Sequence, residues 1–269
     1  MSEIYEKEPL RYHNNFPVFS EVNDYTNNYE QISKDHLIHF RQHGINPFMS
    51  EQSWKLLETS TIGLVKKYAK TKCRILDVGV GMGRLLSHFP DLQRFGVDIS
   101  YGYLCEAQKK GIEVSYSLIE ELPYKKKIFD VVVCTDVLEH VFNLVTCCEK
   151  ILYSLKQGGF LIVRVPNRED LTQYLLSTYP YEYVHLRNFD ENSLQLLFNK
   201  VFGCELCELL PVYSTPTDYL LKYRLPIPLF NRLIIKCLNI LRKKHESLFY
   251  KLLKFLFYPN EINLVVRKK

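Results

Sequence analysis

A strand followed at once by three closely spaced glycines constrains this chain more than any other segment. Residues 74–86 read R-I-L-D-V-G-V-G-M-G-R-L-L, and the glycines are Gly79, Gly81 and Gly83. An apolar strand of this kind is typical of a buried parallel sheet, and glycine tolerates the positive φ angles of a tight turn. The segment predicts a strand, a ligand-binding turn and a helix, which together form the nucleotide-binding unit of a doubly wound α/β fold.

Two residues of this turn argue against a dinucleotide as the ligand. The dinucleotide fingerprint has glycines at its first, third and sixth positions, but the sixth position here is Arg84. An acid, Asp77, precedes the first glycine by two residues and would repel a pyrophosphate at the start of the helix. The same carboxylate can accept a hydrogen bond from the ammonium group of a cationic ligand. The turn therefore favours S-adenosylmethionine over NAD.

The segment resembles the first motif of the class I (Rossmann-like) S-adenosylmethionine-dependent methyltransferases, a strand ending in D/E-x-G-x-G-x-G. Later segments follow in the order that this family uses. They are F-G-V-D-I-S (95–100), I-E-E-L-P-Y (119–124), F-D-V-V-V-C (129–134), T-D-V-L-E-H-V (135–141) and Q-G-G-F-L-I-V-R-V-P-N (157–167). The resemblance covers a little over one third of the chain. It implies that S-adenosylmethionine donates a methyl group and that S-adenosylhomocysteine is the product.

The resemblance also implies an architecture, namely a seven-stranded, doubly wound α/β sheet in the order 3-2-1-4-5-7-6 with strand 7 antiparallel. Residues 205–213 and 260–266 read as strands 6 and 7. Residues 1–60 would form an N-terminal lid or, alternatively, a packing helix with a poorly ordered tail. Residues 61–269 would be the methyltransferase domain. The helix after strand 4 is expected to run from Thr135 to about Leu155.

The same resemblance assigns the cofactor contacts residue by residue. Leu118 stands where many relatives carry Asp or Asn, so the adenine ring would depend on backbone groups and apolar contact. The expected contacts are Asp77, Gly79, Gly81 and Gly83 for the methionine end, Asp98 with Ile99 for the ribose, Ile119 with Glu120 for the adenine, and Thr135 closing the site.

Two histidines, His140 and His185, are the candidate catalytic bases, because imidazole titrates near neutral pH and a hydroxyl acceptor must lose a proton. On the expected helix, Asp136, Glu139 and His140 would project from one side. This segment resembles the E-x-L-E-H of ubiquinone-biosynthesis O-methyltransferases, which implies a possible magnesium site on the three residues. The alternative, which we take as the expectation, has no metal, with Asp136 as helix N-cap and Glu139 as its capping-box partner.

Charge is distributed unevenly along the chain. The net charge is +5, yet residues 220–269 alone hold twelve Lys or Arg and two Glu. Most of this basic region lies in residues 214–259, a long insertion between strands 6 and 7. Its apolar, basic helical pair at 229–257 is too often interrupted to span a membrane. It could pack on the core, lie on an anionic membrane surface as a peripheral contact, or meet another subunit.

The composition indicates the number of domains and the cellular environment of the chain. The chain has 269 residues, of which 46% are hydrophobic, enough for the core of one enlarged domain. Eight scattered cysteines fit reduced thiols, and the polar N-terminus lacks the apolar core of a secretory signal. We therefore expect a cytoplasmic protein, with peripheral contact at the inner membrane surface as an alternative.

The expected activity is methylation of a small-molecule acceptor, at an oxygen of a sugar, a lipid-linked glycan or a quinone-like phenol. A protein or RNA methyltransferase is one alternative, but the amino-methylating motif D/N-P-P-Y/F is absent where this chain reads C-T-D-V, and we expect no nucleic-acid partner. An inactive relative that only binds ligands is the other alternative.

Overall fold

The computed structural model describes residues 3–213 and 231–269, together with the short strand at residues 222–223. The strands are β1 (Arg11–His13), β2 (Phe16–Val18), β3 (Arg74–Val78), β4 (Gln93–Asp98), β5 (Glu113–Tyr116), β6 (Phe129–Thr135), β7 (Leu155–Pro166), β8 (Glu205–Val212), β9 (Lys222–Tyr223), β10 (Phe257–Tyr258) and β11 (Glu261–Arg267). The helices are α1 (Asp24–His43), α2 (Glu51–Tyr68), α3 (Arg84–Ser87), α4 (Tyr101–Gln108), α5 (Leu144–Ser154), α6 (Glu191–Gln195), α7 (Asn231–Lys244) and α8 (Glu246–Leu256).

The main sheet follows the order β1-β2-β5-β4-β3-β6-β7-β11-β8. Its last seven strands reproduce the predicted order 3-2-1-4-5-7-6, and β11 is antiparallel to both β7 and β8. The predicted strand number needs correction, because the hairpin of β1 and β2 extends the edge beyond β5. Asn14 and Asn15 turn this hairpin with φ angles of 45° and 68°, a conformation that asparagine adopts more readily than most residues.

Hydrophobic side chains on the two faces of the sheet form two cores, as expected for a doubly wound fold. On one face, Leu76 and Val132 pack with Ile151 of α5 and Phe198, which follows α6. On the other face, neighbouring strand residues pack with α2 and α4. This second group includes Ile75, Val131, Ile162, Leu64, Val65, Leu104 and Ala107. Alternation along the strands therefore places helices on both sides of the sheet.

The connection from β6 to α5 differs from the prediction. The helix expected from Thr135 begins only at Leu144, where the Asn143 side chain accepts a hydrogen bond from the Thr146 N–H. Asp136 directly after β6 has a φ of 56°, which no residue of a right-handed helix adopts. Residues 136–143 therefore form a loop, and Asp136 is not a helix N-cap.

The C-terminal helical pair is present within the described part of the insertion. Buried residues of α7 and α8 pack against one another and against β10 in a separate small cluster, which includes Leu238, Phe249, Leu253 and Phe257. These contacts join the two helices and β10 into a small unit with its own core. Residues 214–221 and 224–230 of the insertion lie outside the described residues. Across the described chain, no helix combines the length and apolar character needed to cross a membrane.

Candidate cofactor and acceptor site

The predicted site residues gather at one edge of the sheet. Strands β3, β4, β6 and β7 run parallel, with Val78 opposite Val97 and Cys134, and Thr135 opposite Arg164. Their carboxyl ends therefore meet at a single edge, where doubly wound folds bind ligands. The glycine turn, Asp98, Thr135 and the loops after β6 and β7 all lie there.

Two glycines of the turn have different roles, although both have positive φ angles. A Cβ atom on Gly79, at φ 77°, would collide with Cγ2 of Val137, so this position is required for packing. A Cβ atom on Gly81, at φ 50°, would meet no atom within 4 Å. The backbone at Gly81 therefore borders open space, which suits the close approach of a ligand.

Asp98 at the end of β4 holds the glycine turn in place. One carboxylate oxygen accepts from the Gly81 N–H at 2.9 Å, and the other accepts from the N–H groups of Ile99 at 2.8 Å and Ser100 at 3.0 Å. Burial raises the pKa of this carboxyl group to about 6, while the three N–H donors lower it. An ionised carboxylate offers about four lone-pair sites, so Asp98 keeps capacity for a further donor such as a ribose hydroxyl.

Asp77 lies beneath the turn with only 3% of its surface exposed. Among the described residues, its Oδ1 atom has no hydrogen-bond partner. Burial raises the pKa of this carboxyl group well above its usual value, nearby Asp98 raises it further, and Arg164 opposes the shift. A buried acceptor without a donor destabilises the folded protein, because its hydrogen bonds to water are lost and not replaced. A cationic donor from a ligand would supply the missing hydrogen bond.

The expected adenine segment is a 3₁₀ turn over Ile119–Glu121. The Leu118 N–H that precedes it donates to Ser20 Oγ at 2.9 Å, so this N–H already has a partner. The Glu120 carboxylate accepts from the Asn143 N–H at 3.5 Å, which turns the side chain toward the start of α5. Any adenine contact from Glu120 would therefore use its backbone.

Helix α1 lies across this edge and is held at two places. The Glu30 carboxylate accepts from the N–H groups of Tyr101 at 2.7 Å and Gly102 at 3.3 Å, at the start of α4. Asn28 accepts from the Glu182 N–H at 2.9 Å and donates to the Tyr183 carbonyl at 2.7 Å. The helix thus bridges the segment after β4 and the segment around residue 183, a role for Glu30 that no sequence pattern indicated.

Asp136, Glu139 and His140 do not project from one side of a helix, because they lie in the loop after β6, and this part of the prediction is wrong. Asp136 instead forms an ion pair with Arg164, whose side chain is only 7% exposed. Arg164 also donates to the Leu57 carbonyl at 3.1 Å and to Thr61 Oγ1 at 2.8 Å. Asp136 thereby holds Arg164, whose hydrogen bonds tie α2 to the sheet.

Glu139 and both predicted histidines form a compact group, in which a carboxylate oxygen and one nitrogen of each ring lie within 4.8 Å of one another. The imidazole rings of His140 and His185 have centroids 4.5 Å apart. His140 Nε2 lies 3.9 Å from a Glu139 oxygen. Burial lowers the pKa of His140 to about 3, and neighbouring His185 lowers it further, so the ring is neutral at pH 7.

Hydrogen bonds at Nδ1 from backbone and side-chain groups hold both histidine rings in place. His140 Nδ1 lies 3.1 Å from the Val184 carbonyl, which can only accept, and 2.9 Å from the Tyr29 hydroxyl. His185 Nδ1 donates to Glu169, whose other oxygen accepts from Tyr174 at 2.7 Å. A proton on Nδ1 of the neutral His140 ring leaves its Nε2 atom as an acceptor. The only sequence signal for Glu169 was an acid soon after the fifth predicted strand.

Comparison with known proteins agrees with this geometry. Residues 76–163 match a family model described as a methyltransferase domain. An uncharacterized protein of Methanocaldococcus jannaschii is 34% identical over 115 residues, which make up 43% of this chain and 55% of that protein. A ubiquinone biosynthesis O-methyltransferase of Rickettsia prowazekii is 31% identical over 125 residues, 42% of this chain and 48% of that protein. The chain spans about half the length of these relatives.

Solved structures share the fold over most of the chain. A Thermotoga maritima protein, described as an S-adenosylmethionine-dependent methyltransferase and possible histamine N-methyltransferase, has a TM-score of 0.56 at 19% identity, covering 91% of this chain and 100% of that one. A Haemonchus contortus phosphoethanolamine N-methyltransferase, in complex with phosphomonomethylethanolamine and S-adenosylhomocysteine, has a TM-score of 0.57 at 17% identity, covering 92% of this chain and 60% of that one. The domain match shows that this chain contains a region similar to a methyltransferase domain, and the shared fold is that of S-adenosylmethionine-dependent methyltransferases.

Proposed function

We propose that this protein transfers a methyl group from S-adenosylmethionine to an oxygen of a small-molecule acceptor, such as a sugar, a lipid-linked glycan or a quinone-like phenol. The observation that carries the proposal is the buried Oδ1 of Asp77, which has no partner among the residues that the structure describes, beside a glycine turn that is open at Gly81. This pair of features suits a cationic amino-acid group rather than a pyrophosphate.

The cofactor supplies a methyl group that is already activated on a sulfonium, so the protein mainly has to bind and orient the reactants. Asp77 would accept from the ammonium group, with Gly79, Gly81 and Gly83 shaping the turn. Asp98 would accept from a ribose hydroxyl beside Ile99, and the backbone at Ile119 and Glu120 would border the adenine. Thr135 at the end of β6 would close the site.

Activation of the acceptor hydroxyl is assigned to His140 and His185. One nitrogen of each ring lies within 4.8 Å of the other and of a Glu139 oxygen, and the rings are held by Val184, Tyr29 and Glu169. A hydroxyl acceptor needs such a group because its proton must leave, whereas an amine acceptor can react through its own lone pair. The relative from Rickettsia prowazekii is itself named an O-methyltransferase, which supports oxygen as the acceptor atom.

Calorimetry with S-adenosylmethionine and with NADH tests the methyl donor. We expect binding of the first alone, and an increase in its Kd of about tenfold or more in Asp77→Asn, because a hydrogen bond between charged groups is lost. Asp91→Asn, at an exposed acid, is the matched control and should bind normally. A protein that binds neither compound would overturn the proposal.

Assays of S-adenosylhomocysteine formation with a panel of hydroxylated acceptors test the histidines. His140→Ala and His185→Ala should each lower kcat by roughly 10²–10⁴-fold, with the Kd for S-adenosylmethionine unchanged. His88→Ala, at a half-exposed histidine outside the cluster, serves as the control. Unchanged turnover in both cluster variants would remove the histidines from the mechanism.

A further inference from the structure

The geometry points to a binding site for a divalent transition-metal ion, such as Zn²⁺ or Fe²⁺, formed by Glu139, His140 and His185. This ligand set differs from the magnesium site expected from the sequence, because His185 replaces Asp136. The binding itself is independent of the proposed methyl transfer. Only the role of the ion rests on that proposed function: with both rings bound to it, the ion instead of a histidine base would polarise the acceptor hydroxyl so that its proton leaves more readily.

The first observation concerns the burial and the hydrogen bonding of the Glu139 side chain. Its side chain is only 1% exposed, and neither carboxylate oxygen has a hydrogen-bond partner among the described residues. A buried carboxylate without donors is strongly disfavoured unless it is paired or coordinates a metal. Arg164, the buried cation nearby, is already bound to Asp136, Leu57 and Thr61. A bound cation would therefore satisfy a group that this part of the protein leaves without a donor.

The second observation is the way the two imidazoles are held. Each Nδ1 bonds to a carbonyl or carboxylate behind the ring, Val184 for His140 and Glu169 for His185. Metal-binding histidines almost always donate their other ring N–H to such a partner, which fixes the tautomer and raises the basicity of the ligating nitrogen. Tyr174 in turn donates to Glu169, so the outer partner is itself anchored.

The donor atoms select the class of metal. Two imidazole nitrogens and one carboxylate oxygen suit Zn²⁺ and Fe²⁺, whereas Mg²⁺ prefers oxygen ligands and retains several waters. A site with three protein ligands also leaves coordination positions for a water or a substrate oxygen. The loop that carries Glu139 and His140 lies at the ligand-binding edge of the sheet, so such a position would face the acceptor side.

The test is metal binding by the full chain, purified without a polyhistidine tag, in the absence of cofactor and acceptor. Titration with Co²⁺ should give visible d–d absorption at one equivalent, and Zn²⁺ should displace it while a large excess of Mg²⁺ should not. Glu139→Gln and His185→Ala should abolish the absorption. Glu169→Gln should lower the affinity by about 10–100-fold, as expected for an outer partner.

Two controls distinguish this site from metal binding at a surface histidine or at Asp136. His88→Ala removes a surface histidine and should leave the titration unchanged, and Asp136→Asn should keep affinity within about fivefold if Asp136 is not a ligand. Circular dichroism shows whether each variant folds. If His185→Ala does not fold, the near-isosteric variant Glu139→Gln decides the result. Equal binding by the wild type and Glu139→Gln, or equal competition by Mg²⁺, would overturn the inference. Zn²⁺ binding without S-adenosylmethionine binding would overturn the proposed function alone.

Discussion

At the scale of single residues, Asp98 has a structural role and a proposed binding role. Its three backbone hydrogen bonds tie the glycine turn to the start of α4, and we propose that the same carboxylate binds a ribose hydroxyl. Burial and the nearby Glu30 of α1 raise its pKa to about 6, against the stabilising effect of the N–H donors. Its charge is therefore sensitive to pH in a range where an ordinary aspartate is fully ionised.

We expect the affinity for S-adenosylmethionine to rise with pH through about pH 6 as Asp98 ionises, in addition to the rise from Asp77, whose pKa is also raised. The ionised carboxylate accepts from a ribose hydroxyl, whereas the protonated group must first lose its proton. Below the pKa, the affinity should fall by up to about tenfold per pH unit. Calorimetry from pH 5 to pH 8 measures this slope. Asp98→Asn should bind more weakly and lose the slope near pH 6, and an identical profile in both proteins would assign the titration elsewhere.

At the scale of elements, the sequence was informative wherever strands are buried and parallel. Runs such as 129–134, apolar apart from Asp130, marked individual strands, and the family resemblance implied the order of the seven strands. The hairpin of β1 and β2 was missed because its strands are three residues long and β1 is wholly exposed, so periodicity carries little information there. Its one local signal was the Asn14-Asn15 pair in the turn.

The loop after β6 was mispredicted for a different reason. Val137, Leu138 and Val141 have helical spacing, but contacts with distant segments override that pattern, because Val137 packs directly against Gly79. The true helix start was marked by Asn143, three residues before Thr146. This difference determines the site, because a loop lets Asp136 pair with Arg164 and leaves Glu139 and His140 to meet His185.

The glycine turn offers a paired test at this scale. Gly79→Ala should lower the free energy of unfolding by roughly 2–4 kcal/mol, because it adds a collision with Val137 to an unfavourable φ. Gly81→Ala adds only the conformational strain, about 1–2 kcal/mol. The Gly81 variant should nevertheless raise the Kd for S-adenosylmethionine by tenfold or more, since its methyl group enters the open space beside the turn.

Urea denaturation and calorimetry measure the two effects separately. If Gly81→Ala binds the cofactor as the wild type does, Gly81 does not border the cofactor and the placement of the ligand is wrong. If it destabilises as much as Gly79→Ala, the space beside Gly81 is needed for packing.

At the scale of the whole molecule, α1 joins two loops that are distant in sequence. Its Glu30 meets the start of α4, while Asn28 meets residues 182–183, more than 150 positions away. No local pattern could predict these partners, because each contact depends on the completed sheet edge. The spacing of apolar residues predicted only that a helix lies in this region.

We infer that the two anchors of α1 control different halves of the site. Glu30→Ala should loosen the helix beside Asp98 and raise the Kd for S-adenosylmethionine several-fold. Asn28→Ala should loosen the segment that carries His185, so it should raise KM for the acceptor and leave the cofactor Kd nearly unchanged. Gln31→Ala removes only a bond to Asp35 within the same helix and is the matched control.

Hydrogen exchange in each variant locates the loosened segment. Faster exchange confined to residues 100–104 in Glu30→Ala, and to residues 181–186 in Asn28→Ala, would fit two independent anchors, because local opening follows the contacts that are lost. If either substitution speeds exchange along all of α1 and weakens both ligands equally, the helix opens as one unit. Cofactor and acceptor sites would then be coupled through α1. Binding of one ligand would order the helix and so lower the entropic cost of binding the other.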